Sequence, residues 1–495
     1  MNTLILHRND FIDLIIYPGR YFGCEDRKYD SIFERYSEIF RKLYKYTPTR
    51  RSGPFQRRAF LKRVLEMARR RNIDIYIENK ELYFPDIILE FYPELVNNGR
   101  ICANNPFWWE FTRIKYKEFF EEFPEIAGVI TAPATGESRV SIKSNRCECD
   151  LCKNTKKEDW FRNLFKSMYE PVHDAGKKLV IRDFAFDSQA QHEIVTVMRE
   201  LPEDVIISLK NTPHDYYPTF PENARIGQVG EHEQWIEFDS MGQYFGWGIG
   251  IADLLEDYRK RLKSALSKNV SGVVLRTDWE SLDGHSSFNT HNLINQYSIA
   301  MLSCNPDTPD LEIYERFLEK EDWFVDNITD EQKHQAVNYF MNISSRTWSV
   351  TSKTPFINSC VFSDSSLIPV SLPHAFWLAE EKNSLRDWDK SKWDALYPTR
   401  ENVETAIKEK DYALDEISHI LKLSKEDCPY LKPAKLELLR DRINVNEKYV
   451  TLYAAVVSAL MLTRYVTETT EPHDAPFYKE SCLSLRKALY KLEEL

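Results

Sequence analysis

Two hydrophobic rhythms divide the chain. Through roughly the first 300 residues, short β-rich apolar runs alternate with longer amphipathic stretches, which predicts strands joined by helices and hence a parallel sheet. The predicted strands are Thr3 to His7, Asp74 to Glu78, Gly128 to Ala132, Lys178 to Phe184, Asp204 to Lys210, Gln234 to Asp239 and Ser271 to Thr277. Helical spacing marks Gln56 to Arg71 and Asp159 to Ala175 between them. Such an alternation predicts a (β/α)8 TIM-type barrel, an α/β fold, with one strand, the first, unaccounted for. A doubly wound sheet is the competing architecture, but no Gly-rich phosphate turn follows the first strand and the whole chain holds only 15 glycines. Beyond about residue 305 helical periodicity takes over, as in Leu311 to Glu319, Val403 to Leu423 and Lys435 to Arg464. The expected organisation is a barrel over residues 1–305 and a mostly α-helical region over 306–495. The Pro- and Ser-containing stretch Thr351 to Pro373 reads as a long loop.

A chain of 495 residues admits two to four domains or one large barrel with an appendage. With 42% hydrophobic and 29% charged residues it can fill a core and coat its surface, which excludes wholesale disorder. Lys and Arg number 66 against 77 Asp and Glu, a net charge of −11, so neither nucleic acid nor an anionic membrane surface is an expected partner. The basic stretch from Arg50 to Arg71 interleaves with Phe60, Leu61, Val64, Leu65 and Met67 and reads as a solvated helix face. The longest apolar run, Tyr449 to Leu462, is too short to span a bilayer and reads as a buried helix, with a dimer surface as the other use for it. No basic segment followed by an apolar stretch opens the chain, and the nine cysteines do not resemble a disulfide framework, so a cytoplasmic protein with reduced thiols is expected. Cys147, Cys149 and Cys152 have the density of a zinc site, but no fourth ligand stands beside them. The expectation is therefore reduced loop thiols, with no metal and no cofactor.

Barrel enzymes carry their chemistry at the C-terminal ends of the strands. Reading off those ends yields Glu78 and Glu81, Glu137, Arg182 and Asp183, Lys210 with His214 and Asp215, Glu237 with Asp239 and Gln243, and Asp278 with Glu280. Carboxylates dominate, and Trp108, Trp109, Trp235, Trp247 and Trp279 lie near them in sequence. That combination suits a sugar, whose ring an aromatic face covers while carboxylates do acid and base work. Any one of these acids can instead cap a helix or pair with a surface cation. Arg182 and Lys210 admit two readings: charge-assisted binding of an anionic substituent, or neutralisation of the surrounding acids. His285 and His291 are open between substrate contact and a polar loop.

The segment Lys210-Asn211-Thr212-Pro213-His214-Asp215-Tyr216 resembles a motif of the α-glucuronidases of glycoside hydrolase family 67. Val180 to Phe186, with Arg182, resembles the preceding strand of that family, and Ile236 to Gly246 the following one. Gly128 to Glu137 resembles the strand that ends in the general acid, while Gly272 to Gly284 and Asn305-Pro306-Asp307 resemble the last barrel strand and the entry to a helical region. The likeness covers most of residues 1 to 320 in consistent order.

This resemblance implies an inverting hydrolysis in which Glu137 protonates the leaving oxygen and Asp215 activates a water on the opposite face. Such a reaction needs its two carboxyl groups about 6.5 to 9.5 Å apart. It also implies that Arg182 and Lys210 bind a uronate carboxylate and that the C-terminal helices support a homodimer; from the strand-end reading, Glu81, Glu237, Asp239, Asp278 and Trp279 are the further expected substrate contacts. Gln243 stands where the family has a second catalytic carboxylate, and an amide can orient water but not accept its proton. Ala132 stands near the position of a further carboxylate-binding lysine. The family's N-terminal β domain has no counterpart ahead of Thr3, so a short form or a truncated start is expected. The expected function is removal of a terminal α-linked uronic acid from plant-polysaccharide oligosaccharides. A carbohydrate-binding barrel without turnover, or a glycosidase for another acidic or neutral sugar, stands as the alternative.

Overall fold

The computed structural model describes residues 3–7, 48–84, 87–185, 187–241, 246, 248–277, 286–363, 367–381, 388, 394–468 and 475–494. Seven strands form one sheet in strict chain order: β1 (Thr3–His7), β2 (Asp74–Glu78), β3 (Gly128–Thr131), β4 (Lys178–Arg182), β5 (Ile206–Lys210), β6 (Gln234–Asp239) and β7 (Gly272–Arg276). The order is that of a β/α barrel. A doubly wound sheet would reverse its order at a switch point, and none occurs here. Pairings from β1 through β5 are all parallel, with Thr3 opposite Asp74, Tyr76 opposite Gly128, Gly128 opposite Lys178 and Val180 opposite Ile206. Parallel strands are buried on both faces, which is why the apolar runs of β3 and β5 are continuous and buried throughout. Among the described residues no eighth strand joins this sheet.

By internal contacts the chain divides into two compact units, one made of 1–210 and 225–235, the other of 211–224 and 236–495. In the first unit, Tyr76, Ile130, Val180 and Ile206 contribute one side chain per strand to a shared core, with Ile5, Ala127 and Trp235 against it. Tyr76 and Trp235 meet edge to face with ring centroids 5.6 Å apart. Gly128 is required at this level, because a Cβ there would come within 2.6 Å of the Tyr76 ring and 2.4 Å of the Lys178 carbonyl oxygen.

The helices of the first unit follow from their patterning. These are α1 (Pro48–Arg69), α2 (Phe107–Glu122), α3 (Lys157–Asp174) and α4 (Ser188–Met198). In α3, Trp160, Phe161, Leu164, Phe165, Met168 and Val172 form one buried stripe. It ends where Gly176 enters the left-handed region at φ +67° and its N–H bonds the His173 carbonyl at 2.8 Å. Asp187 caps α4 by accepting from the Ala190 N–H at 2.7 Å. On α1, Lys62 pairs with Glu122 at 2.9 Å and Arg69 and Arg70 pair with Glu66, as befits a solvated basic face.

The second unit is helical after β7, apart from a hairpin of Phe356–Ile357 with Cys360–Val361 inside the stretch expected as loop. Its longer helices among the described residues are α5 (Leu255–Leu266), α6 (Leu293–Cys304), α7 (Asp310–Lys320), α8 (Asp330–Ser344), α9 (Leu372–Glu381), α10 (Arg400–Ser424), α11 (Pro433–Glu468) and α12 (Ala475–Glu494). A capping box of Thr329 and Gln332 starts α8, and Thr399 caps α10. Among the described residues α11 is the one helix long and apolar enough to cross a membrane, yet Tyr449, Val450, Tyr453, Val456, Val457 and Leu460 on it are buried in the fold. Lys410 sits within the apolar face of α10, where burial lowers its ammonium to about 7 and its Nζ donates to the carbonyls of Lys353 and Phe356.

Candidate functional site

In the first unit, strand ends bring three cations onto one aromatic ring. Arg182 is the last residue of β4, Lys210 the last of β5, and Lys80 follows β2 by two residues. Lys210 Nζ lies 3.5 Å, Lys80 Nζ 4.9 Å and Arg182 Cζ 5.4 Å from the centroid of Phe184. The negative face of the ring attracts each of them. All three side chains are buried, so each charge has lost most of its hydration. Glu78, the last residue of β2, pairs with Arg182, and Glu137 pairs with Lys80. Asp183 is held from two sides, accepting from the Lys210 backbone N–H at 3.1 Å and from Gln191 at 2.9 Å.

Glu137 lies on the loop after β3, entered through Gly136 at φ +77°. Its backbone is anchored at both ends: the N–H donates to Thr135 Oγ1 at 3.2 Å, and its carbonyl accepts from the Tyr83 hydroxyl at 2.8 Å. Its side chain is about one-third exposed, at 31%, with Oε2 buried. Glu81 is different. It is wholly buried, and its carboxylate accepts from Asn79 at 2.8 Å, from the Tyr83 N–H and Lys115 Nζ at 3.0 Å, and from Tyr116 Oη. Those four donors occupy it in holding the β2 loop to α2.

In the second unit, Asp215 and Tyr216 are consecutive non-glycine residues in the left-handed region, at φ +40° and +63°. Such backbone is costly and survives only where its surroundings enforce it. Here the enforcing bonds are visible. The Tyr216 hydroxyl donates to Glu237 Oε2 at 2.7 Å, the Asn211 N–H donates to the Glu237 carbonyl at 2.9 Å, and Thr212 Oγ1 donates to the His214 carbonyl at 3.1 Å. The effect is to present Asp215 at the surface of a buried turn, with His214 Nε2 3.3 Å from its Oδ2. The His214 ring stacks on Trp388 with centroids 5.4 Å apart. Asp239 is buried, its Oδ1 accepting from the Met241 N–H at 2.5 Å while Tyr258 donates to its carbonyl. Burial first, and then the Asp239 charge, push Tyr258 far above the ordinary tyrosine range and keep it a phenol.

Of the residues expected at the site, Glu81, Glu137, Arg182 and Lys210 thus belong to the first unit and Asp215, Glu237 and Asp239 to the second. Gln243, Asp278, Trp279, Glu280, Trp247 and His285 lie outside the described residues. The tryptophan expectation needs correction. Trp108 is fully buried and donates to the Cys102 carbonyl at 2.8 Å, Trp109 packs on Trp160, and Trp235 packs on Tyr76, so these three are packing residues. Among the described residues, Phe184 lies against the three cations in the first unit and Trp388 against His214 in the second. His291 is also a core residue, its Nε2 2.9 Å from Ser344 Oγ. Lys80 was missed in the sequence, although its place just beyond a strand end was the available signal. Among the described residues one group of side chains is arranged to hold a metal ion: Cys102, Cys147, Cys149 and Cys152.

No family model matches the chain, and no curated protein matches its sequence. Solved structures do match its fold. A GH138 enzyme targeting pectin rhamnogalacturonan II is similar with a TM-score of 0.52 at 12% identity, over 99% of this chain and 57% of that enzyme. A family 89 glycoside hydrolase from Clostridium perfringens, in complex with PUGNAc, is matched with a TM-score of 0.45 at 11% identity, over 98% of this chain and 62% of the other. The chain spans about three fifths of the length of these two structures. The first likeness establishes a glycoside-hydrolase-like α/β fold with a C-terminal helical region, and it does not single out family 67.

Proposed function

We propose that this protein is a glycoside hydrolase acting on a sugar that carries a carboxylate, a terminal α-linked uronic acid in the leading form. The observation that carries this reading is the convergence of Lys80, Arg182 and Lys210 on Phe184 at the strand ends of the first unit. Three buried cations around one ring repel one another, and an incoming carboxylate relieves that repulsion through charge-assisted hydrogen bonds, bidentate ones in the case of Arg182. Lys80 compensates for Ala132, where family 67 has a cation. The GH138 structure, whose enzyme targets a pectin, agrees with a plant-polysaccharide substrate.

In this reading Glu137 is the general acid. At rest Lys80 pairs with it. A uronate bound among the cations draws Lys80 to itself, so that Glu137 is free to carry the proton it delivers to the leaving oxygen. The anionic substrate thereby prepares its own acid, and a neutral sugar would not. Asp215, on its strained turn, is the base that the resemblance to family 67 implies, and an acid with a separate base acting through water gives net inversion.

The test is an NMR time course on 4-O-methylglucuronosyl, glucuronosyl and galacturonosyl oligosaccharides, following the anomeric proton of the freed sugar. Early β-anomer from one α-linked uronide is the expected result, with Asp215→Asn slowing release about 10²- to 10⁴-fold while the variant keeps its fold. Binding of the same sugars without release would sink the hydrolase reading and establish a carbohydrate-binding barrel.

A further inference from the structure

Four cysteine sulfurs meet in the first unit, Cys102 being remote in sequence from the other three. Cys102 follows a small hairpin of Val96–Asn97 with Arg100–Ile101, and between Glu137 and α3 Cys147 and Cys149 lie on the loop while Cys152 lies on the short helix Asp150–Asn154. Their four Sγ atoms all lie within 4.8 Å of one another. Cys102 Sγ is 3.4 Å from Cys152 Sγ and 3.7 Å from Cys149 Sγ. Tetrahedral zinc with Zn–S bonds of about 2.3 Å places its sulfurs about 3.8 Å apart, so the spacing is that of a coordination shell. It is not that of disulfides, which bring two sulfurs to about 2.05 Å and leave no reason for Cys102 to approach two partners at once. All four thiols are free in the structure.

The surroundings are built to hold these positions. Asn104 Nδ2 donates to Cys152 Sγ at 3.3 Å, a hydrogen bond of the kind that orients a metal-bound thiolate. Asn145 Oδ1 accepts from the Cys147 N–H at 3.0 Å and shapes the turn into the three-thiol loop. Trp108 and Trp160, both fully buried, donate their indole N–H groups to the Cys102 and Ala103 carbonyls at 2.8 Å and so fix the opposite strand. Arg100 joins the same two segments outside the cluster, donating to the Arg146 carbonyl at 2.6 Å. Three of the four cysteines are buried and the fourth is partly so, which leaves little room for water among the sulfurs.

We infer that Cys102, Cys147, Cys149 and Cys152 form a tetrathiolate zinc site that pins the hairpin after β2 to the loop after Glu137. Soft thiolate ligands in tetrahedral array select zinc over the oxygen-seeking cations. Four protein ligands leave no open position, so the ion is structural rather than catalytic, and it binds whether or not the proposed hydrolysis is correct. Its consequence for function is indirect, since it sets the stiffness of the loop that carries Glu137.

The experiment is metal analysis of the full chain purified under reducing conditions without chelator. About one zinc per chain is expected, lost in Cys102→Ser and retained in Cys304→Ser, whose thiol lies in the second unit. Asn104→Ala keeps all four thiols and should lower zinc affinity about 10- to 100-fold in competition with a chromophoric chelator. Should Cys102→Ser fail to fold, the wild type decides alone: cobalt exchanged for zinc should produce thiolate-to-metal charge-transfer absorption and the visible bands of a tetrahedral ion. Hydrogen exchange over residues 96–104 and 142–156 should rise when zinc is withdrawn. Three results would overturn the inference: wild-type protein that neither retains zinc nor takes up cobalt, iron in place of zinc, or a peptide map showing any of the four cysteines in a disulfide.

Discussion

Two buried polar clusters in this protein have opposite characters. In the second unit, Asp253 is fully buried and accepts from Ser344 and, at 2.8 Å, from Tyr314, while His291 Nε2 meets Ser344 Oγ at 2.9 Å. Burial pushes Asp253 up and His291 down to about 4, both toward their neutral forms. In the first unit, Lys80, Arg182 and Lys210 gather on Phe184, with Glu78 paired to Arg182 and Glu137 paired to Lys80. A network that only joins helices lowers its cost by neutralising its members. A cluster in which three buried cations share one ring with paired carboxylates is instead the kind of place where an anion can bind.

The contrast breaks most sharply at Glu137. Its replacement by Gln should lower turnover of a uronosyl substrate about 10²- to 10⁴-fold with the fold retained, and a variant turning over like wild type would remove the first cluster from the chemistry. Next in size is Arg182→Met. Losing one charge-assisted contact should reduce kcat/KM on anionic substrates about 10- to 100-fold and leave neutral glycosides nearly unaffected. The same change strands buried Glu78 and should destabilise the fold by about 3 to 5 kcal/mol, most of which Glu78→Gln in the same chain should restore. Equal losses on charged and neutral sugars would make the cations scaffolding.

The second cluster is probed by acid. His291, held near 4 in the fold, returns to about 6.5 on unfolding, so the unfolded chain takes up its proton first as pH falls. Its contribution to stability is therefore intact above about pH 6.5 and is lost between 6.5 and 4, by roughly 3 kcal/mol in all. Asp253, raised by burial, works in the opposite sense, favouring the fold as it protonates. Comparing wild type with His291→Gln by denaturant unfolding across that range isolates the histidine, and identical pH slopes would show it carries no linkage. The smallest effect belongs to Ser344→Ala, which leaves His291 and Asp253 without their bridge and should cost about 1 to 3 kcal/mol with no change in turnover.

Much of the fold was legible along the chain. Each of the seven strands lies within two residues of its expected ends, because a β/α barrel strand is a local apolar run and a barrel helix a local amphipathic stripe. Departures came where local pattern is silent: α1 begins at Pro48 rather than Gln56, and a short hairpin interrupts the stretch read as a loop. Strand ends pointed to Arg182, Lys210, Glu137 and Asp215, since position on a barrel strand is a one-dimensional property. The tryptophans misled for the same reason, because proximity in sequence does not say which face of a helix a ring occupies. Trp108 and Trp109 start α2 and pack inward.

Sequence alone thus determined the elements, their order and the residue types at the strand ends. Tertiary structure decided which charges meet, that Lys80 joins Arg182 and Lys210 on Phe184, that Trp388 comes to His214, and that Cys102 completes a group begun at Cys147. Secondary structure is governed by neighbours three or four positions away, whereas a charge cluster or a coordination shell depends on distances of a few ångströms between residues tens to hundreds of positions apart. Those distances exist only once the chain has packed, and burial then decides whether each group keeps its charge.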